Sequence, residues 1–250
     1  MWLVSDVHGA VRALRRVADR GGPLLVLGDL INFIDYRTNE GIVADVSGKQ
    51  LVDRFVRLRS EGRHDEAREL WQHHTLGREE EMRRAYEIAI EQAYVEICAA
   101  LEGCAAYVTF GNVDRPDLLR AHLPSTARFV DAEVVEIDGH TVGFAGGGVT
   151  SIGTPGEVSD DEMAAKLDAL GDVEILCTHV APAVDALSTD VIGGRQKGSE
   201  PVLAYLIDRR PKLHFFGDIH QPRATTWRIG PTTSHNVGYF RATGRAVRYG

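Results

Sequence analysis

Five short apolar runs along this 250-residue chain each lead into side chains that can bind a metal. Trp2-Leu3-Val4 leads to Asp6 and His8, Val26-Leu27-Gly28 to Asp29, and Tyr107 to Gly111 to Asn112. Ile175 to Thr178 leads to His179, and Leu213 to Gly217 to Asp218 and His220. Runs this short, rich in Val, Ile, Leu and Phe and stopped by Gly, Asp or His, read as buried strands with polar C-terminal ends. Val11, Leu14, Val17 and Ala18 lie at helical spacing between the first two runs and end at Gly21-Gly22-Pro23. That strand–helix–strand unit puts Asp6, His8 and Asp29 on one rim of a sheet. Oxygen and imidazole donors repeated at strand ends are the equipment of a two-metal hydrolytic centre.

The spacings carry their own chemistry. Asp6 and His8 are two apart, so on an extended strand they share a face and reach one ion; Asp218 and His220 repeat that relation. Asp29 follows a glycine, and its two carboxylate oxygens suit it to bridge a pair of ions. Asn112 adds a neutral carbonyl oxygen and limits the negative charge that a phosphate would meet.

Residues 35–103 have a different texture and read as a helical insertion between two site-bearing strands, a candidate cover for the site. Ser47-Gly48-Lys49-Gln50 fits a capping box, with Val46 and Leu51 placed for a hydrophobic staple. Leu51, Phe55 and Leu58 form a stripe closed by Gly62, and Asp65 to His74 continue as a short helix. A longer helix follows, with Glu79, Glu80 and Glu81 in its first turn, where the helix dipole favours anions. Met82, Tyr86, Ala89, Ala93 and Ile97 mark its buried face. After Asn112 the pattern turns to β: Phe129 to Ile137 and Thr141 to Ala145 flank the hairpin signal Asp138-Gly139. Gly146-Gly147-Gly148 permits a close backbone approach. Ser159-Asp160-Asp161-Glu162 is a second capping box, and strands are expected near Ala224–Ile229, Thr233–Val237 and Ala246–Tyr249.

Composition narrows the partners. A formal charge of −8 leaves no overall basic field to gather nucleic acid, and basic and aromatic residues are not interleaved. No apolar stretch approaches the ~20 residues of a membrane span. The chain enters its first strand without a signal-peptide pattern. Cys98, Cys104 and Cys177 form no CxxC pair and read as buried thiols in a reducing compartment. The expectation is a cytoplasmic protein with neither membrane nor nucleic acid as partner.

Together the motifs Asp6-Val7-His8, Gly28-Asp29, Gly111-Asn112-Val113-Asp114, Thr178-His179 and Gly217-Asp218-Ile219-His220 resemble those of the calcineurin-like metallophosphoesterase family. Asn236-Val237-Gly238 is similar to the Asn-Pro-Gly of its small bacterial and archaeal phosphodiesterase-like members. The resemblance implies an α/β fold, a four-layer αββα sandwich of two mixed sheets. Residues 1–34 and 104–250 form that core, and 35–103 the helical cap. It implies a metal-dependent hydrolase of a small phosphodiester or phosphomonoester, using two divalent ions about 3.5–4 Å apart around a bridging hydroxide. One ion would take Asp6, His8, Asp29 and His220; the other Asp29, Asn112, His179 and Asp218. Asp29 and Asn112 are then the catalytic pair.

Two residues depart from the family pattern. Many members carry His where this chain has Val113, and Val113 neither donates a proton nor binds phosphate. Good leaving groups, or another donor, are therefore favoured. Asp218 stands where His is usual. A hard anionic ligand there favours Mn²⁺, Mg²⁺ or Fe over Zn²⁺; the other reading has Asp218 orienting His220. Both departures leave open a non-catalytic member that binds metal or a phosphorylated ligand as a scaffold. Arg115 is a candidate phosphate contact or a surface salt bridge. Asn32 and Tyr36 are candidate substrate contacts where the insertion begins. His214 and His235 are candidate replacement acids, with a core or supporting role favoured for His214; His64, His73 and His74 read as surface residues.

Overall fold

The protein is described by a computed structural model covering residues 1–35, 37–151, 153–192, 194 and 197–250; Tyr36 lies outside the described residues. In chain order, β1 (Trp2–Val4), α1 (Val11–Ala18) and β2 (Leu24–Leu27) come first. Next come the helices α2 (Ile42–Ser47), α3 (Lys49–Ser60), α4 (His64–Thr75) and α5 (Glu79–Ala99). β3 (Ala106–Thr109), α6 (Pro116–His122), β4 (Ala127–Phe129), β5 (Glu133–Ile137) and β6 (His140–Ala145) follow. Two short strands, β7 (Gly148–Val149) and β8 (Glu157–Val158), precede α7 (Asp160–Leu170) and β9 (Ile175–Thr178). Then come β10 (Ala181–Pro182), α8 (Asp185–Ser188), β11 (Gly198–Ser199), α9 (Glu200–Asp208) and β12 (Leu213–Phe216). The chain closes with β13 (Thr226–Ile229), β14 (Thr232–Asn236), α10 (Phe240–Thr243) and β15 (Val247–Arg248).

One sheet has the order β15-β1-β2-β3-β4, with antiparallel β15 on an otherwise parallel set. The other runs β13-β14-β12-β9-β6-β5; its four inner strands are parallel and both edge strands antiparallel. Leu3, Leu25 and Leu27 of the first sheet pack with Val135, Ile137, Val142, Phe144, Ile175, Cys177 and Phe215 of the second. That apolar layer is what the paired runs of Leu, Val, Ile and Phe require once both sheet faces are buried. Helix α7 packs on β5 and β6 and against α9, covering the second sheet. This is the α/β sandwich of two mixed sheets expected from the sequence. Because β1, β2 and β3 are mutually parallel, as are β9 and β12, the residues that follow each strand emerge on a common rim.

The chain divides into two compact units, Met1–Leu30 with Glu96–Gly250, and Ile31–Val95. The second is helical. Val43, Ala44 and Val52 form its core with Ile34, Val56, Trp71 and Tyr86 packed around them. The last turn of α5 belongs to the first unit, where Ile97, Cys98 and Leu101 are fully buried. Glu79 caps the start of α5 by accepting the Gly77 N–H at 3.0 Å, in keeping with the acidic first turn. All three cysteines are free and buried. Among the described residues no helix is long and apolar enough to cross a membrane.

Two local expectations change. Ser47 does not cap a helix: it ends α2, and its hydroxyl hydrogen-bonds the Tyr86 hydroxyl at 2.7 Å. Helix α3 starts after Gly48 with no side-chain cap, so the Ser-Gly-Lys-Gln pattern was spent on a tertiary contact instead. The segment Phe129 to Ile137 is two strands, not one. Ala127–Phe129 pairs with β3 in the first sheet and Glu133–Ile137 with β6 in the second. Between them Ala132 takes φ 51°, and Asp131 accepts the Gly146 N–H at 2.9 Å while pairing with Lys166 at 3.1 Å. Those bonds pin the crossover between layers. The Asp138-Gly139 hairpin and the Ser159 cap form as expected, the latter accepting the Glu162 N–H at 3.1 Å.

Candidate metal centre

Asp6, His8, Asp29 and Asp218 all take left-handed backbone conformations, with φ of 55°, 40°, 52° and 61°. Side chains with a Cβ avoid this region, and holding one there costs on the order of 1–3 kcal/mol. Asp6 and His8 therefore do not reach a common point by sharing a strand face, because β1 has already ended at Val4. They converge because the loop after it is coiled back and tied down. The Asp6 N–H donates to Gly28 O at 3.1 Å, His8 N–H to Asp29 O at 2.9 Å, and Gly9 N–H to Leu30 O at 2.7 Å. The same holds for Asp218 and His220 after β12. The Asp218 N–H donates to Asp6 Oδ2 at 3.1 Å.

The glycine before Asp29, Asn112 and Asp218 is a spatial requirement. A Cβ on Gly28 would overlap the Gly111 amide nitrogen, one on Gly111 would overlap Asp29 Oδ1, and one on Gly217 would overlap Ser5 Oγ. Gly148 supplies the close approach expected of the triple glycine: a Cβ there would lie 2.5 Å from Asn112 Cβ.

Two groups of donors result. Asp6, His8 and His220 each offer an atom within 4.8 Å of the others, and so do Asp6, Asp29 and His179. His220 Nε2 lies 3.2 Å from Asp6 Oδ1, and His8 Nε2 lies 3.6 Å from Asp29 Oδ2 and 3.9 Å from Asp6 Oδ1. On the other side, His179 Nε2 lies 3.5 Å from Asp29 Oδ1 and 3.3 Å from Asn112 Oδ1. The two oxygens of Asp29 thus face different histidines, the geometry a bridging carboxylate needs. Asp6 also belongs to both groups, which the ligand sets read from sequence did not give it.

The donor set fits divalent ions. His179 Nδ1 faces the Leu27 carbonyl at 2.8 Å; a carbonyl only accepts, so Nδ1 carries the proton. In the neutral ring the Nε2 lone pair then points at Asn112 Oδ1 and Asp29 Oδ1, which are acceptors as well. Lone pairs meeting lone pairs in a buried space call for a cation between them. The electrostatics agree. Burial alone would lower His179, but Asp29, Asp6 and Asp218 outweigh it and push its pKa up to about 9. Burial likewise opposes the charged forms of Asp6 and His220. Their mutual hydrogen bond and attraction prevail, so Asp6 is held well below the usual carboxylate range and His220 is raised.

A pH dependence follows. His179 binds a proton below about 9 in the ion-free protein, and a metal at Nε2 must displace it. Mn²⁺ affinity is expected to fall about tenfold per unit as pH drops below that value. Calorimetric titration at several pH values, in buffers of different ionisation enthalpy, measures both the slope and the protons released. An affinity flat from pH 6.5 to 9 would contradict it. For the ion-free fold the sign is opposite. A raised histidine pKa stabilises below the ordinary value, and that contribution is lost as pH climbs through about 9.

Several supporting groups lay beyond the sequence reading. Asp114 is fully buried; its Oδ1 accepts the Leu30 N–H and its Oδ2 the Gly111 N–H, both at 2.9 Å, which ties the loops of Asp29 and Asn112 together. Burial, and then the charge of Asp29, push its pKa up to about 6. Tyr239 stacks on His220 with ring centroids 3.8 Å apart, and Arg241 Nη1 donates to His8 O at 2.6 Å. Asn236 Nδ2 donates to Ile219 O at 2.9 Å, bracing the loop between Asp218 and His220. Asp114 stood inside a quoted motif and Tyr239 directly after Asn236-Val237-Gly238, so position alone pointed near them. Nothing in sequence marks Lys197, whose Nζ donates to Asp218 Oδ1 at 3.0 Å.

The remaining candidates fall elsewhere. Asp218 belongs to neither donor group, and its carboxylate meets Lys197, not His220. Arg115 makes the salt bridge open to it, with Nη2 2.8 Å from Asp117 Oδ2. Asn32 belongs to the helical unit, where its carbonyl accepts the Ile42 N–H at 3.0 Å. Val113 offers its backbone N–H to Asp29 Oδ1 at 3.1 Å. His214 is a core residue between Thr178 Oγ1 at 2.9 Å and Ser234 Oγ at 2.8 Å, and burial lowers its pKa to about 3. His235 bonds Thr226 Oγ1 at 2.7 Å on the edge ladder.

Comparison with known proteins bears on the fold and the family. No curated protein sequence matches the chain. One crystal structure is similar with TM-score 0.58 at 14% identity, over 96% of this chain and 90% of that one. The crystal structure of TT1561 of Thermus thermophilus is similar with TM-score 0.55 at 13% identity, over 98% of this chain and 96% of its own. At such identities the likeness is one of fold. The family model for calcineurin-like phosphoesterases matches residues 1–222, a span that contains every donor described above, and the chain belongs to that family.

Proposed function

We propose that this chain is a metal-dependent phosphoester hydrolase with a dinuclear centre, acting on a small phosphodiester or phosphomonoester. Mn²⁺ is the favoured ion, with Fe, Mg²⁺ or Zn²⁺ as alternatives. The observation that carries this reading is Asp29, whose two oxygens face His8 on one side and His179 on the other. Asp6, His8, Asp29 and His220 would hold one ion; Asp29, Asn112 and His179, with Asp218, the other. Such ions supply Lewis-acid charge to phosphoryl oxygens and make a water nucleophile available near neutral pH.

The chain's own groups do the rest. The Val113 N–H and the loop bonds orient Asp29 so that neither oxygen turns away. The Leu27 carbonyl keeps the His179 proton on Nδ1. The neutral Asn112 amide, its Oδ1 3.3 Å from His179 Nε2, would serve an ion or a phosphate there without adding negative charge. Val113 donates no proton, so esters with good leaving groups are the preferred substrates. In sequence, the helical segment is inserted between β2 and β3. The net charge of −8 disfavours nucleic acid as substrate.

One observation favours a second reading, a metal- or phosphate-binding scaffold: the Lys197 ammonium sits on Asp218, where the family usually has a metal-binding histidine. Chelator-treated protein given Mn²⁺ and a panel of aryl phosphodiesters and monoesters separates the two. Turnover that requires the metal is expected. Tight Mn²⁺ binding with no turnover on any ester, under several metals, would leave the scaffold.

A further inference from the structure

Lys197 stands among the acids of the centre as an internal cation. Its Nζ lies 3.0 Å from Asp218 Oδ1, and its charge is felt by Asp29 and Asp6 as well, which with Asp218 hold its pKa above the ordinary lysine value. The placement is built into the backbone. The Lys197 N–H donates to Ser188 O at 2.9 Å, and the next residue, Gly198, pairs with Ala181 in β10, two residues beyond His179. A Cβ on Gly198 would lie 2.6 Å from Ala183 Cα, so the strand that follows Lys197 is pressed against the segment after His179. From the other side, the Asp218 N–H is held by Asp6 Oδ2, which keeps its side chain in this neighbourhood. The Asp218 side chain is 4% exposed and that of Lys197 is 32% exposed, so the carboxylate is closed to solvent while part of the lysine side chain is open to it.

An ammonium and a divalent ion compete for one buried carboxylate. The two donor groups are therefore unequal. Lys197 takes Asp218 Oδ1 and offsets its charge, so Asp218 is a weakened fourth ligand for Asp29, Asn112 and His179 until Lys197 withdraws, whereas the set of Asp6, His8, Asp29 and His220 needs no such exchange. We propose that Lys197 is a built-in competitor of the second metal ion. It leaves the centre at rest with one tightly held ion, and it yields Asp218 to a second when a phosphate oxygen offers the ammonium another partner. This rests on the dinuclear reading above and deepens it, because it assigns the order of loading to a residue of this chain. The chemical event is an exchange of partners: the Lys197 N–H donors pass from Asp218 to a phosphate oxygen, and Asp218 passes from Lys197 to the incoming ion. No proton or electron changes hands.

The test is a calorimetric Mn²⁺ titration of the chelator-treated full chain, alone and with saturating inorganic phosphate, checked by elemental analysis after desalting. Wild type is expected to bind one ion tightly and a second at least about tenfold more weakly. Phosphate should narrow that gap. Lys197→Met frees Asp218, so it should tighten the second ion at least about tenfold while leaving the first unchanged, and phosphate should no longer matter. Lys197→Gln serves if the methionine variant fails to fold. Two ions of equal affinity in wild type would overturn the proposal while leaving the hydrolase reading intact. So would a gap unchanged in the folded variant. Absence of any Mn²⁺ binding would remove both.

Discussion

Asp29→Asn is expected to lower metal-dependent phosphoester hydrolysis by more than ~10³-fold, well beyond the ~10–100-fold typical of a group that only orients a ligand. The side chain keeps its size, so the loss is chemical. Asp29 Oδ1 accepts the Val113 N–H and faces His179, while Oδ2 faces His8. An amide has one oxygen to serve both sides. With its NH₂ toward Val113, two donors oppose each other and the His179 side loses its oxygen. With its NH₂ toward His8, the other side loses it. Either flip would remove the anionic bridge of the proposed centre and leave one side with a donor where an ion needs an acceptor. Measuring kcat/KM and bound Mn²⁺ together, with a thermal melt to confirm folding, distinguishes the cause. A folded variant within tenfold of wild-type activity and with full metal content would show that Asp29 bridges nothing.

How far the molecule could be read in advance depends on the range of the interaction that decides each feature. The five apolar runs became five strands because burial on both faces leaves no other outcome for short stretches of Val, Leu, Ile and Phe. The hairpin at Asp138-Gly139 and the cap at Ser159 are decided within four residues, and both formed. Ser47 carried an equally good local signal, but a hydroxyl more than thirty residues away in sequence, on Tyr86, claimed its side chain. The strand break at Ala132 was likewise set by Gly146 and Lys166, which bind Asp131 from other elements. At the centre, the motif residues were visible because each follows closely on a strand, whereas the reason they converge was not. Four left-handed residues do that work, and no spacing rule announces a left-handed aspartate. Lys197 gave no signal either: its partner is 21 residues away and its segment carries no periodic pattern.

Gly111→Ala is expected to cost about 1–3 kcal/mol or more of stability and to weaken Mn²⁺ binding, although it adds one methyl group. Gly111 is not among the residues of positive φ, so alanine suits its backbone and the cost is one of space. The new Cβ would overlap Asp29 Oδ1 and would lie 2.6 Å from the Asp29 amide nitrogen and 2.7 Å from His179 Cε1. These are the acid proposed as the bridge and the imidazole it faces, and neither moves freely. Asp29 is held through Val113, and His179 through Leu27. Relief must come from pushing the loops apart, which Asp114 resists by bonding the Leu30 and Gly111 amides at once. Gly21→Ala is the matched control. Its φ is +75°, so alanine is strained there by about 1 kcal/mol, yet no atom lies within 4 Å of its Cβ. Urea melts and Mn²⁺ titrations of both variants separate backbone strain from crowding at the centre. Gly21→Ala should lose stability alone, and Gly111→Ala stability and metal affinity together. A Gly111→Ala protein that binds Mn²⁺ as tightly as wild type would mean that the ions do not depend on how closely these loops pack.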